Sequence, residues 1–112
     1  MPERLRVKWT APARVDLFEI IDYLAQDERA AAVNVLHKLE TAAHKLAVFP
    51  QWGRVVPELA KYGYLLYREI VSAPWRIIYK VARKTVFVLS VLDSRRNIED
   101  IILKKIVLQP PI

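Results

Sequence analysis

Cysteine is absent from the 112-residue chain, and glycine occurs only twice. Without a thiol there is no disulfide, no thiolate zinc site and no cysteine nucleophile. Both glycines, Gly53 and Gly63, fall in one irregular stretch, so no glycine loop cradles phosphate and no nucleophile elbow is formed. Histidine is equally scarce. His37 and His44 stand seven residues apart on the polar side of an expected helix, whereas metal-binding pairs on one helix stand three or four apart, so neither a metal nor a cofactor is expected. No apolar run is long enough to span a membrane, and Met1-Pro2-Glu3-Arg4 does not open a secretory signal. With the lack of cysteine, this gives the expectation of a soluble, cytoplasmic protein that does not engage a membrane.

What is plentiful is positive charge, and it is unevenly spread. The chain carries 18 Lys/Arg against 12 Asp/Glu, a net charge of +6. Residues 1–49 hold seven of each sign, and residues 50–112 hold eleven basic and five acidic residues, so the whole surplus lies in the second half. An acidic partner is expected there, either the phosphates of a nucleic acid or an acidic protein segment. The length fits one domain over residues 1–108 followed by a short tail at 109–112. A chain of this size can bury roughly two thirds of its surface without a disulfide or structural metal.

The stretch from Tyr64 to Arg96 organises the rest. Branched and aromatic residues fill three runs, Leu65 to Val71, Trp75 to Val81 and Thr85 to Leu92. The breaks between them are too short for anything but antiparallel connections, so the stretch reads as a three-stranded meander. In the second run Trp75, Ile77, Tyr79 and Val81 share one face, expected to be dry, while Arg76, Ile78 and Lys80 share the other, expected to be at least partly wet. The third run is apolar on both faces and should be the most covered strand.

Ahead of the meander, Leu5, Val7 and Trp9 alternate with Arg6 and Lys8 as a short edge strand. Thr10 can cap a helix with Pro12 in its first turn. Ala13, Leu17, Phe18, Ile21, Leu24 and Ala25 give that helix its buried stripe, with Arg14, Asp16, Glu19, Asp22 and Gln26 mostly opposite. After Asp27-Glu28-Arg29 a second stripe follows at Ala32, Val35, Leu36, Leu39, Ala42, Ala43 and Leu46, ending near Phe49-Pro50. The two helices form an antiparallel hairpin that can cover one side of the sheet. Gln51 to Gly63 reads as an irregular, function-bearing loop containing Trp52, Arg54, Glu58 and Tyr62. Asn97 can cap a last helix with an apolar stripe at Ile98, Ile101, Ile102 and Ile106. The fold class is α+β: a short N-terminal strand, an antiparallel helix hairpin, a three-stranded antiparallel meander completing a small sheet, and a C-terminal helix.

The candidate chemistry is a cationic set, Arg54, Arg68, Arg76, Lys80, Arg95 and Arg96, with Trp52, Tyr62, Tyr64, Tyr67, Trp75 and Tyr79 nearby in sequence. Arginine beside aromatic rings can clamp phosphate and stack on unpaired bases. Cleaving RNA through its 2′-OH also needs a base and an acid. Glu58, Glu69 and Asp93 are the available bases, and no histidine follows Arg54. For each arginine the alternative is an ion pair with one of these carboxylates.

The segments TAPARVDLFEIIDYLA (Thr10 to Ala25), LAVFPQWGRVVPEL (Leu46 to Leu59), YREI (Tyr67 to Ile70), PWRIIYKV (Pro74 to Val81) and VLSVLDSRRN (Val88 to Asn97), in this order, resemble the RelE/ParE superfamily of toxin–antitoxin toxins. The ParE branch is the most similar. That resemblance implies a growth-inhibiting toxin of the plasmid-maintenance kind, held in a hetero-oligomer by a cognate acidic antitoxin. ParE-type members inhibit DNA gyrase, and RelE-type members cut mRNA on the ribosome. By position, Arg76 and Arg95 or Arg96 match arginines that RelE-type members use on mRNA. The lysine-rich helix and C-terminal tyrosine of that branch are missing, and Asp93 stands where relatives often have histidine. The expectation is therefore a gyrase inhibitor acting by binding through Arg54, Arg76, Lys80, Asp93, Arg95 and Arg96, with Leu17, Ile21, Leu36, Leu39, Ile98 and Ile102 offered to the antitoxin. An enzymatic alternative gives Arg76 and Arg95 the transition-state phosphate, with Asp93 or Glu58 as base. A third is a non-toxic module that only binds antitoxin.

Overall fold

The computed structural model describes residues 3–96 and 98–104. Strand β1 (Arg6–Trp9) leads into helix α1 (Ala11–Asp27) through Thr10. The Thr10 hydroxyl accepts from the Ala13 N–H at 3.4 Å and donates to the Val88 carbonyl at 3.0 Å, so one side chain caps the helix and ties its start to the sheet. Glu28, in an extended conformation, separates α1 from α2 (Arg29–Lys45), and the two helices lie across one sheet face as the expected hairpin. Its stripe is centred on Ala13, Ala32, Leu39, Ala43 and Leu46, all essentially without exposure.

Two expectations for α1 are corrected. Phe18, assigned to the stripe, is 70% exposed, and Asp16, assigned to the wet side, is 6% exposed. Position 18 fits the three-and-four spacing but lies at the rim, whereas position 16 points toward the sheet. The buried Asp16 carboxylate is compensated by hydrogen bonds from Ser90 Oγ at 2.6 Å and the Val91 N–H at 3.1 Å.

The meander forms β3 (Arg68–Ser72), β4 (Trp75–Ala82) and β5 (Thr85–Asp93), but the first run is corrected at its start, since Leu65 and Leu66 precede the strand and are 62% and 75% exposed. The Arg83-Lys84 turn between β4 and β5 holds both residues at positive φ (52° and 60°), the geometry that two-residue hairpins require. The sheet has five strands in the order β1-β5-β4-β3-β2, with β1 parallel to β5 and the other pairs antiparallel. As its double-sided apolar pattern requires, β5 is buried from Val86 through Leu92. One register slip falls in it: Ile78 pairs with Ser90 and Tyr79 with Val88, leaving Leu89 without a cross-strand partner.

The stretch expected to be irregular contains two short elements, β2 (Arg54–Val55) and α3 (Pro57–Ala60). A two-residue strand and a single helical turn are too short for periodicity to reveal. With α4 (Ile98–Ile102), α3 covers the second sheet face. Two cores result. One joins the hairpin to Ile70, Ile77, Tyr79, Val86, Val88 and Val91, and the other joins Val56, Leu59 and Ile102 to Ile78, Phe87, Leu89 and Leu92. The expected cap at Asn97, the Ile98 side chain, Ile106 and the tail at 109–112 lie outside the described residues. Among the described residues no helix is long and apolar enough to cross a membrane.

Candidate functional site

The predicted cationic set does not form one surface. Trp75 pairs with Asp93 on the hairpin side of the sheet, while Arg76 pairs with Leu92 on the side covered by α3 and α4. The set therefore divides into two clusters on opposite faces.

The first cluster is built around a buried centre, Arg76 and Glu69. Arg76, expected on a partly wet face, has a side chain only 7% exposed, because α3 covers that face and places Glu58 against it. Arg76 Nη1 and Nη2 donate to the two Glu58 oxygens at 2.8 and 2.7 Å. Its Nε donates to Glu69 Oε1 at 2.6 Å, with Nη2 also in contact with that oxygen. Glu69, with no side-chain exposure, takes a second arginine on its other oxygen, from Arg54 Nε at 2.7 Å. Two arginines and two carboxylates alternate, which satisfies a network that would be costly with any member unpaired. The hydrogen bonds from Arg76 hold the Glu58 carboxyl below the usual carboxylate range despite its partial burial, and the Glu58 contact raises Arg76 in turn. Lys80 lies half-buried on this same face.

The second cluster is the corner after β5. Ser94 donates from its N–H at 2.8 Å and its hydroxyl at 2.7 Å to the Pro74 carbonyl, pinning the turn to the β3–β4 connection. Asp93 accepts from the Arg95 N–H and Nε, both at 2.9 Å, and from Nη2 at 2.7 Å. The Arg95 side chain remains 74% exposed, and Arg96 is exposed beside it. These contacts, the Arg95 side chain first, pull Asp93 down to about 2. A cleft of about 420 Å³ opens next to the corner, lined in part by Tyr23, Trp75, Arg95 and Arg96.

In both clusters the candidate bases are engaged by arginine, Glu69 by Arg54 and Arg76, Glu58 by Arg76 and Asp93 by Arg95. Asp93 and Glu58, the two named bases, are both depressed by arginine, whereas a general base works best with its pKa near the working pH. What the corner can offer is two outward guanidinium groups beside aromatic rings.

The expected antitoxin residues also divide. Leu39 and Ile102 are wholly buried, one in each core. Leu17, Ile21 and Leu36 are half-buried. The apolar groups left open on the hairpin are Val15, Phe18, Tyr23 and Val33, 46 to 74% exposed. Of these, Phe18 falls within the expected buried stripe, and Val15, Tyr23 and Val33 lie outside both stripes, where an isolated apolar residue carries no signal of a binding role.

This fold, a helix hairpin laid across a five-stranded sheet whose first and last strands pair in parallel, is similar to those of solved toxin–antitoxin structures. It matches the chromosomal ParDE system of P. aeruginosa with a TM-score of 0.66 at 19% identity, covering 81% of this chain and 97% of that one. The RelBE2 toxin–antitoxin complex of Mycobacterium tuberculosis matches with a TM-score of 0.54 at 19% identity, covering 80% and 91%. In sequence, toxin ParE3 of Caulobacter vibrioides is 28% identical over 94 residues, covering 83% of this chain and 90% of the relative. Toxin RelE2 of the same organism is 33% identical over 91 residues, covering 81% and 97%. The profile of the ParE toxin of type II toxin–antitoxin systems, parDE, matches residues 7–98, and the chain belongs to that family.

Proposed function

We propose that this toxin inhibits DNA gyrase by binding it, breaks no bond itself, and is held inactive in the cytoplasm by a cognate acidic antitoxin in a hetero-oligomer. The observation that carries the reading is the state of the carboxylates. All three candidate bases are tied to arginine, Glu69 buried between Arg54 and Arg76, and Glu58 and Asp93 held below the ordinary carboxylate range, while Arg95 and Arg96 stay outward. Arg76, enclosed by Glu58 and Glu69, belongs to the scaffold in this reading. The antitoxin contacts the open hairpin residues Val15, Phe18 and Val33 together with Leu17, Ile21 and Leu36.

The test is a gyrase supercoiling assay with purified toxin, alone and after addition of the antitoxin encoded beside it. Loss of supercoiling, or a trapped cleavage complex, that antitoxin reverses is the expected result. Unchanged supercoiling at toxin well above gyrase defeats the reading. Transcripts cut at ribosomal A sites under those conditions would replace it with the endonuclease alternative, and normal growth on uninhibited expression with the non-toxic module.

A further inference from the structure

The segment from Phe49 to Gly53, joining α2 to β2, is held more firmly than a surface connection requires. Tyr79, itself wholly buried, donates from its hydroxyl to the Pro50 carbonyl at 2.8 Å and accepts from the Gly53 N–H at 2.9 Å. Arg68 Nη1 donates to the Gly53 carbonyl at 2.8 Å. A Cβ at Gly53 would lie 2.5 Å from the Glu69 carbonyl and 2.6 Å from the Tyr79 hydroxyl, so only glycine lets the backbone approach this closely. The Trp52 N–H closes a turn onto the Phe49 carbonyl at 3.0 Å.

What this pinned loop holds outward is apolar. Phe49 is 61% exposed and Trp52 56% exposed, and with Val48 and Pro50 they line a shallow concavity of about 730 Å³. Large rings fixed in water on a rigid backbone are costly to solubility unless something covers them. They are also the side chains that dominate protein–protein contacts, because a ring already held in place loses little freedom on docking.

The charge around the rings selects the partner. No aspartate or glutamate occurs between Glu40 and Glu58. Lys45 stands over the Trp52 ring at 5.7 Å, and the Arg54 side chain is 63% exposed. Lys45, Arg54 and Arg68, the last half-buried and turned onto the Gly53 carbonyl, do not make the basic track that a phosphate backbone needs, and Lys45 already occupies a ring face on which a base would stack. A carboxylate, by contrast, can meet Lys45 where it is.

We infer that this platform docks an acidic protein segment, which seats one apolar side chain against Phe49 and Trp52 and pairs its carboxylates with Lys45 and Arg54. The platform sits at the β2 edge, apart from the corner at the end of β5, and the inference does not depend on which target the toxin inhibits.

The test titrates the full chain with a synthetic peptide of alternating glutamate and leucine, followed by calorimetry and tryptophan emission. Saturable binding with a blue shift in emission is expected, and it weakens with salt. Affinity falls about tenfold or more in the Phe49→Ser/Trp52→Ser variant. Trp52→Phe retains binding but loses the emission change, and Arg95→Ala/Arg96→Ala binds as the parent does. Because both rings are exposed, circular dichroism of these variants should match the parent. Absence of saturable binding, equal affinity in the double-serine variant, tighter binding of oligothymidine, or self-association that buries Trp52 would each overturn the inference.

Discussion

Arg76 and Arg95 are the same residue type at the same end of the sheet, and they have opposite fates. Arg76 is 7% exposed and shared between two carboxylates from different elements, whereas Arg95 is 74% exposed and bonded to a carboxylate two residues away. The difference lies in what covers each face. Where α3 lies over the sheet, an arginine is desolvated and must be matched charge for charge. At the end of β5 water screens the pair, and the guanidinium remains available. Stability should therefore reside in the first cluster and recognition in the second.

The strongest way to break this contrast is Glu69→Ala, which leaves Arg76 and Arg54 without their shared, fully buried partner. A loss of about 3–5 kcal/mol in urea denaturation is expected; a loss near zero would mean that the network is not structural. Glu58→Gln keeps the shape and one acceptor at a partly open position, so a smaller loss of about 1–2 kcal/mol is expected in the same assay. Arg95→Ala/Arg96→Ala should leave stability essentially unchanged in that assay while abolishing most of the gyrase inhibition proposed for this chain. If that variant instead unfolds the protein, the two clusters do not differ in the way described.

The subtlest difference is in titration. Both Glu58 and Asp93 are lower in the folded state, so their contributions are complete above the ordinary carboxylate range and vanish as pH falls through the folded values. Carboxyl resonances followed by NMR should show Asp93 titrating at about 2. Its effect on stability should be slight because the Arg95 side chain it pairs with is solvated. An ordinary carboxylate pKa for Asp93 would mean that the Arg95 contact does not persist in solution.

Much of the scaffold was legible because its signals are local. The second and third runs of the meander and the end of the first, the Thr10 cap, most of the hairpin stripes and the double-sided burial of β5 each follow from residues close in sequence. Alternation also grouped Arg76 with Ile78 and Lys80 correctly. It could not reveal that α3, a single turn opened by Pro57, would roof that face and deliver Glu58 to it. Nor could local pattern show that β1 pairs with β5 in parallel across most of the chain. Phe18 and Asp16 were misplaced for a related reason, since spacing defines a stripe but not how far its edges reach into the sheet.

The unpartnered Leu89 decides more than a local irregularity would suggest. Before it the even-numbered residues of β5, Val86 and Val88, face the hairpin, and after it the odd-numbered Val91 does so. A strand lacking that one insertion would turn Asp93 toward Glu58 and Glu69, crowding a third acid onto Arg76 and removing the anchor that orients Arg95. A single extra residue thus sets apart the part of the molecule that endures from the part that meets the outside, and shortening β5 there should merge the two.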